Sequence, residues 1–302
     1  MNSPVPSDRP TLAQVVEQMA IRMTAAGVVF GHGTHNARDE AIWLTMWRLG
    51  LPLDGYDELA AGPVSAEQVI DVAAVIDERI ASRKPAAYLT KEAWLQGVPF
   101  FVDERCIVPR SYIAELLGNP DYGHALDTWL SDRTQQVLDL CTGNGSLAVL
   151  AAMAFPDVHV DASDLSTSAL DVARINVNRH HLAERITLMA SDGLADVRGP
   201  YDLILCNPPY VNARSMAALP PEFRAEPELA LAGGVDGMDF IRQLLRDAPG
   251  KLSEIGVLVI EVGHERPYFE AAFPRLPAIW LETSAGVDQV LLLTRDALIG
   301  PR

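Results

Sequence analysis

Apolar and polar positions follow a helical period through the first hundred residues. Thr11 and Gln14 form a capping-box pair that opens the amphipathic run "TLAQVVEQMAIRMTAAG". A second helix fits "NARDEAIWLTMWRLG", with Trp43 and Trp47 four apart on one face. Ser65 and Gln68 make another capping box ahead of "QVIDVAAVIDERIASRK", which predicts a third helix. Together these segments predict a small helical bundle over residues 1–85. The pattern changes over residues 86–108. Aromatic and β-branched residues there flank Gly97-Val98-Pro99 and Asp103-Glu104, which predicts short strands or a hairpin linking two domains.

From about Gln135 the pattern becomes β-α-β. Strands are predicted at "QVLDL", "VHVDASD", "ITLMASD", "YDLILCN", "GVLVIEVG", "AIWLETS" and "DQVLLLT", with helices "GSLAVLAAMAF" and "STSALDVARINVNRH" between the early ones. This alternation predicts an α/β fold: a seven-stranded, Rossmann-like, mostly parallel sheet, doubly wound, in a domain over residues 109–302. Only "AGV" separates the last two strands, so they should form an antiparallel hairpin.

Composition narrows the function. The chain of 302 residues is 49% hydrophobic and 21% charged, which is globular. Its formal charge of -16 argues against wrapping nucleic acid through phosphates. Such acidity suits solubility, and also a basic protein partner. Cys106, Cys141 and Cys206 are widely spaced without metal-type pairing and read as buried free thiols. The histidines are scattered and no metal site is expected. The N-terminal "MNSPVPSDRPT" is polar and carries no signal-type segment, and no run of about 18 apolar residues exists to span a membrane. A cytoplasmic protein is expected.

Two junctions carry chemistry. In "VLDLCTGNGSLAVLAAM", Asp139, Gly143 and Gly145 stand where a strand meets a helix, and glycine there lets a ligand approach the backbone. The next strand ends on Asp164, where a carboxylate can accept both hydroxyls of a ribose. "GNGSLA" also fits a dinucleotide fingerprint, with its acid about 20 residues on. Two details favour S-adenosylmethionine. A carboxylate at Asp139 can meet an ammonium, whereas it would repel a pyrophosphate. The third strand of the sheet ends on Ser191-Asp192-Gly193, where an acid or an amide could reach an adenine edge. Asp192 fits equally as the cap of a following turn.

The second junction is "YDLILCNPPYV". Asn207 and Pro208 each precede a proline and are pushed toward extended backbone, while the two rings fix φ and remove two N–H donors. What remains is a rigid rim presenting the Asn207 side-chain oxygen and the Pro208 carbonyl, with Tyr210 as a flat face. A conjugated –NH2 is a poor nucleophile because its lone pair is delocalised. Two acceptors on its protons return electron density to nitrogen and aim it at an electrophilic methyl, so that positioning does most of the catalysis.

"DLCTGNGSLAV", "ASDLS", "ASDGL" and "DLILCNPPYV", in this order, resemble a class I S-adenosylmethionine-dependent methyltransferase acting on amino groups. "RKPAAYLTKEAWLQGVPFFVDERCIVPRS" and "EPELALAGGVDGMDFIRQLL" extend the resemblance to the protein-glutamine methyltransferases over nearly the whole chain. One branch of that family modifies the Gly-Gly-Gln glutamine of peptide-chain release factors and usually carries a Pro-Arg-Pro-Glu-Thr-Glu run. Here that place reads Pro109-Arg110-Ser111-Tyr112-Ile113-Ala114-Glu115, and this departure, together with "AYLTKEAWLQG", resembles the branch acting on the third protein of the large ribosomal subunit. The resemblance implies that Asn207 and Pro208 orient the glutamine amide and Tyr210 packs on it. It also implies that Asp139, Gly143, Gly145 and Asp164 hold the cofactor, with Asp192 and Asn207 beside it. Arg110 either lines the crevice or is solvated, and Glu226-Pro227 shape a loop over the site. The implied partner is a basic ribosomal protein, recognised through the N-terminal helices. The chemistry itself also admits a release factor or, less well with this charge, a nucleic-acid amine.

Overall fold

The computed structural model describes residues 9–118 and 121–300; residues 1–8, which include most of the N-terminal stretch read for a leader, lie outside it. Contacts divide the chain into two compact units. The first holds the residues through Lys91 together with Pro220–Ala225; the second holds Glu92–Leu219 and the residues from Glu226 onward.

The first unit is built from α1 (Leu12–Ala25), α2 (Ala37–Arg48), α3 (Tyr56–Leu59), α4 (Ala66–Ser82) and α5 (Ala86–Thr90). Both capping boxes form. The Gln14 amide donates to Thr11 Oγ1 at 3.2 Å and the Gln68 amide to Ser65 Oγ at 3.2 Å, each reciprocated by the glutamine side chain. Each cap is worth about 1 kcal/mol. Helices α1, α2 and α4 pack on one another, burying Val15, Val16, Met19, Met23, Leu44, Val72 and Ile76. Trp43 is buried but Trp47 is 41% exposed, so the two tryptophans do not share one buried face. Residues 86–90, expected to be extended, are helical: Pro85 leads into two strong helix formers, and Lys91 ends the turn at φ 57.

A buried ion cluster crosses this unit. Arg79 Nε donates to Glu40 Oε1 at 2.7 Å, and Thr34 donates to the other Glu40 oxygen at 2.8 Å. Glu222 accepts the Val29 amide at 3.1 Å and Arg83 Nη1 at 3.2 Å, with Arg79 Nη1 at 3.7 Å. Burial alone would push the Glu222 carboxyl up. The bonds from Val29 and Arg83 and the nearby Arg79 outweigh burial and hold the carboxyl below its ordinary value.

The second unit opens with a hairpin, β1 (Glu92–Leu95) and β2 (Val98–Phe101). Its turn residues Gln96 (φ 48) and Gly97 (φ 74) are both left-handed, as a two-residue hairpin requires. The large sheet follows: β3 (Gln136–Leu140), β4 (His159–Asp164), β5 (Ile186–Ala190), β6 (Tyr201–Cys206), β7 (Leu252–Glu261), β8 (Ile279–Thr283) and β9 (Gly286–Thr294). Its order is β5-β4-β3-β6-β7-β9-β8, parallel through β7, with β9 antiparallel to β7 and β8 antiparallel to β9. All seven strands coincide with the apolar runs of the sequence.

Alternation along the strands divides the core between the two sheet faces. Val137, Leu203, Leu205, Val257 and Leu292 share one cluster with Leu147, Val149 and Leu150. Leu138, Ile204, Leu258 and Leu291 join the other, with Ile241, Leu244 and Leu245. Helix α7 (Ser146–Ala154) is buried over almost its whole length, consistent with its sequence, which is apolar after Ser146. The remaining helices are α6 (Glu115–Gly118), α8 (Thr167–Arg179), α9 (Ala213–Ala218), α10 (Asp239–Asp247), α11 (Arg266–Ala272) and α12 (Arg295–Ile299). Strand order reverses between β3 and β6, and at such a switch point a crevice opens beyond the carboxyl ends of the strands.

Candidate active site

The crevice is an open cleft with about 800 Å³ of free space. Gly143, Asp164, Asp192 and Asn207, all singled out from sequence, line it together. They converge because Leu140 pairs with both Ser163 and Cys206, which sets the ends of β3, β4 and β6 side by side.

The glycine loop turns tightly on left-handed backbone at Cys141 (φ 61), Gly143 (φ 55) and Gly145 (φ 81). A Cβ on Gly143 would meet nothing within 4 Å, so bare backbone faces free space where a ligand can lie. Gly145 has a different task. Its Cβ would stand 3.1 Å from the Ala173 Cβ, so this glycine lets α7 start close against α8 and does not line the cleft.

The Asp164 carboxylate accepts the Gly143 amide at 2.9 Å and the Ser166 amide at 2.8 Å, and burial raises its pKa. Asp192 is exposed at the cleft, and its carboxylate makes no hydrogen bond among the described residues. The turn after β5 is capped by its neighbour: Ser191 Oγ accepts the Asp196 amide at 3.1 Å. Asp192 is therefore open to a ligand. The cation on the cleft wall, Arg105, is forked onto Asp103 at 2.7 and 2.8 Å. Two carboxylates and one neutralised guanidinium suit hydroxyl and amine donors far better than a pyrophosphate.

Asp139 lies beneath this loop, fully buried and off the cleft wall. Its Oδ2 accepts the Thr142 hydroxyl and, at 2.9 Å, the Ala148 amide, so it ties the loop to α7. Its Oδ1 has no partner, and burial pushes the carboxyl up to about 7.

Asn207 also lines the cleft, and its side-chain amide makes no hydrogen bond among the described residues. Pro209 lines the cleft beside it, Pro208 is buried and Tyr210 is half-buried. The Tyr210 hydroxyl donates to Glu261 Oε1 at 3.1 Å; burial and the Glu261 charge together raise the phenol well above its ordinary pKa.

Several supporting residues escaped the sequence reading. Val211 bridges Ala232, which brings the segment "AGGVDGMD" onto the back of the rim. A Cβ on Gly237 would lie 2.2 Å from the Tyr210 carbonyl oxygen, and one on Gly233 2.8 Å from that of Pro209. Gly263 faces the Tyr210 ring in the same way, at 2.6 Å from Cε2. The signal was present as an unusual density of glycine, but nothing local says which backbone each glycine meets. Arg110 neither lines the cleft nor is free in solvent. It forks onto buried Glu226 at 2.6 and 2.7 Å, and Glu226 also accepts the Val108 amide at 2.8 Å. That anchor carries Pro227, Leu229 and Ala230 to the cleft wall.

A mostly parallel sheet of this order, with a glycine-loop cleft at its switch point and an Asn-Pro-Pro-Tyr rim, defines a Rossmann-like methyltransferase. Residues 120–225 match the model of the Methyltransferase small domain. The chain is 51% identical over 291 residues to the ribosomal protein uL3 glutamine methyltransferase of Bordetella pertussis, covering 95% of this chain and 96% of that one. The protein of the same name from Burkholderia pseudomallei is 47% identical over 301 residues, with 97% of each chain covered. That of Neisseria gonorrhoeae is 47% identical over 292 residues, with 96% of each covered. The chain belongs to the family of ribosomal protein uL3 glutamine methyltransferases. In fold it resembles the hMettl16 catalytic domain solved with a MAT2A 3'UTR hairpin, with a TM-score of 0.50 at 12% identity over 76% of this chain and 81% of that one.

Proposed function

We infer that the protein transfers a methyl group from S-adenosylmethionine to the side-chain amide nitrogen of a glutamine in ribosomal protein uL3, forming N5-methylglutamine. The observation that carries this reading is the unbonded Asn207 amide in the same cleft that Gly143, Asp164 and Asp192 line. Near-full-length relatives that bear this activity in their names support it.

The acidic wall fits the cofactor. Asp164 would take ribose hydroxyls, Asp192 the adenine amine, and the bare backbone of Gly143 would let the methionine moiety lie close. Asp139 acts from below, holding the loop through Thr142 and Ala148. When bound, S-adenosylmethionine supplies an electrophilic methyl on a sulfonium. The protein's own residues prepare the nucleophile: Asn207 Oδ1 and the Pro208 carbonyl accept the two N–H groups of the glutamine amide, and Tyr210 supports its plane. Acceptors placed where positive charge develops on nitrogen favour the transition state over the ground state. No strong base is required, since the nitrogen proton becomes acidic once the methyl is attached. An enzyme with a formal charge of -16 also attracts a basic substrate. The helical first unit is assigned to recognising that substrate.

The test offers methyl-labelled S-adenosylmethionine with purified uL3, and separately with a release factor, and locates label by mass spectrometry. Label on a uL3 glutamine is expected, with Asn207→Ala lowering the rate at least about a hundredfold. Label on the release factor alone would overturn the partner, and label on neither would overturn the reaction.

A further inference from the structure

One buried carboxylate near the rim has no part in the chemistry above. Glu261 ends β7 with 3% of its surface exposed. Its Oε1 accepts the Tyr210 hydroxyl at 3.1 Å. Its Oε2 accepts the Ser111 hydroxyl at 2.6 Å and the Tyr112 amide at 2.8 Å. One oxygen is therefore fixed from below and the other is aimed at the phenol. Gly263, two residues on, closes the remaining freedom of the ring, because a side chain there would collide with it.

The geometry points to Glu261 as the positioning residue of Tyr210, with Ser111 as the side chain that aims it; the assignment rests on the glutamine-methylating reading of the rim. Three features distinguish this from ordinary core packing. Glu261 is a polar side chain among the apolar residues of β7, where a leucine would pack at lower cost unless a bond were needed. Its two oxygens divide their partners between the segment before the sheet and the rim itself. The Ser111 hydroxyl is also pinned in turn, accepting the Ile113 amide at 3.2 Å while donating to Glu261. A phenol tethered at its hydroxyl and walled by Gly263 keeps one ring plane. A planar amide resting on that ring then meets the Asn207 and Pro208 acceptors in one orientation, and misplacement by about 1 Å is enough to cost a hundredfold in rate.

The experiment is a double-mutant cycle on the full-length enzyme, read as methyl transfer to uL3, with cofactor affinity and melting temperature measured alongside. Glu261→Gln and Tyr210→Phe should each lower kcat about tenfold or more and leave S-adenosylmethionine affinity within about twofold. In the Tyr210→Phe background, Glu261→Gln should cost less than about twofold further, because the bond it acts through is already gone. Ser111→Ala should give a smaller loss of the same kind and Ser111→Thr should restore it. Additive losses in the cycle, or a fall in cofactor affinity matching the fall in kcat, would overturn the assignment. Failure of the wild-type enzyme to methylate uL3 would instead strike at the reading of the rim, so the two failures are distinguishable.

Discussion

The carboxylate of Asp164 accepts the backbone amide of Gly143 at 2.9 Å, so the end of β4 clamps the glycine loop that follows β3. The same carboxylate faces the cleft, and one group thus shapes the loop and presents itself to the ligand. Asp164→Ala removes both roles. With hydrogen bonds to a charged group worth about 1.5–3 kcal/mol, the dissociation constant for S-adenosylmethionine should rise about ten- to a hundredfold. Calorimetric titration measures this directly, and an affinity within twofold of wild type would remove Asp164 from the cofactor site.

Asp139 makes stability depend on pH. Its carboxyl stands at about 7 in the folded chain because of burial. An unfolded aspartate titrates near 4, so between those values the native state holds a proton that the unfolded chain has lost. The contribution of Asp139 to stability should therefore fall as pH rises from about 4 to about 7 and level off above, by roughly 4 kcal/mol. Asp139→Asn cannot ionise and keeps an oxygen for Thr142 and Ala148, so it should lack this slope. Urea unfolding of both proteins across that range compares the slopes. Parallel curves would show that the buried carboxyl does not titrate there.

Gly237 sits where an added methyl would stand 2.2 Å from the Tyr210 carbonyl oxygen, on backbone at φ 80. Gly237→Ala must push the rim away from its acceptor geometry. A rate loss of about a hundredfold is expected while cofactor affinity changes little, since Gly237 is off the cleft wall. Steady-state kinetics with both substrates varied separates the two effects, and an unchanged kcat would contradict the clasp.

Arg79 is buried between Glu40 and Glu222. Arg79→Met leaves both carboxylates without that guanidinium in a buried site, and such removals cost about 3–5 kcal/mol. Denaturant unfolding should show a loss of that order. A loss below about 1 kcal/mol would mean that Arg83 and the backbone donors suffice.

Much of this architecture lay in local pattern. Thr11 with Gln14, and Ser65 with Gln68, mark helix starts because a capping box spans only four residues. The strand runs coincide with β3 to β9 because a doubly covered sheet demands continuous apolar segments. Residues 86–90 went the other way: the aromatic and β-branched character of the wider segment concealed the short helix after Pro85. Arg110 stayed ambiguous because its partner, Glu226, lies 116 residues away along the chain.

The same division runs through the active site. Chain chemistry alone settled that a glycine loop, three strand-end acids and a proline-locked Asn207 exist, since backbone freedom, ring constraint and alternation are properties of neighbouring residues. Folding decided which of them face the cleft. Asp139 and Gly145 were turned inward as struts, Asp164 and Asp192 outward, and Glu261, Ser111 and the glycines at 233, 237 and 263 were brought to the rim. Burial and long-range hydrogen bonds depend on what arrives from distant parts of the chain, and no window of sequence contains that.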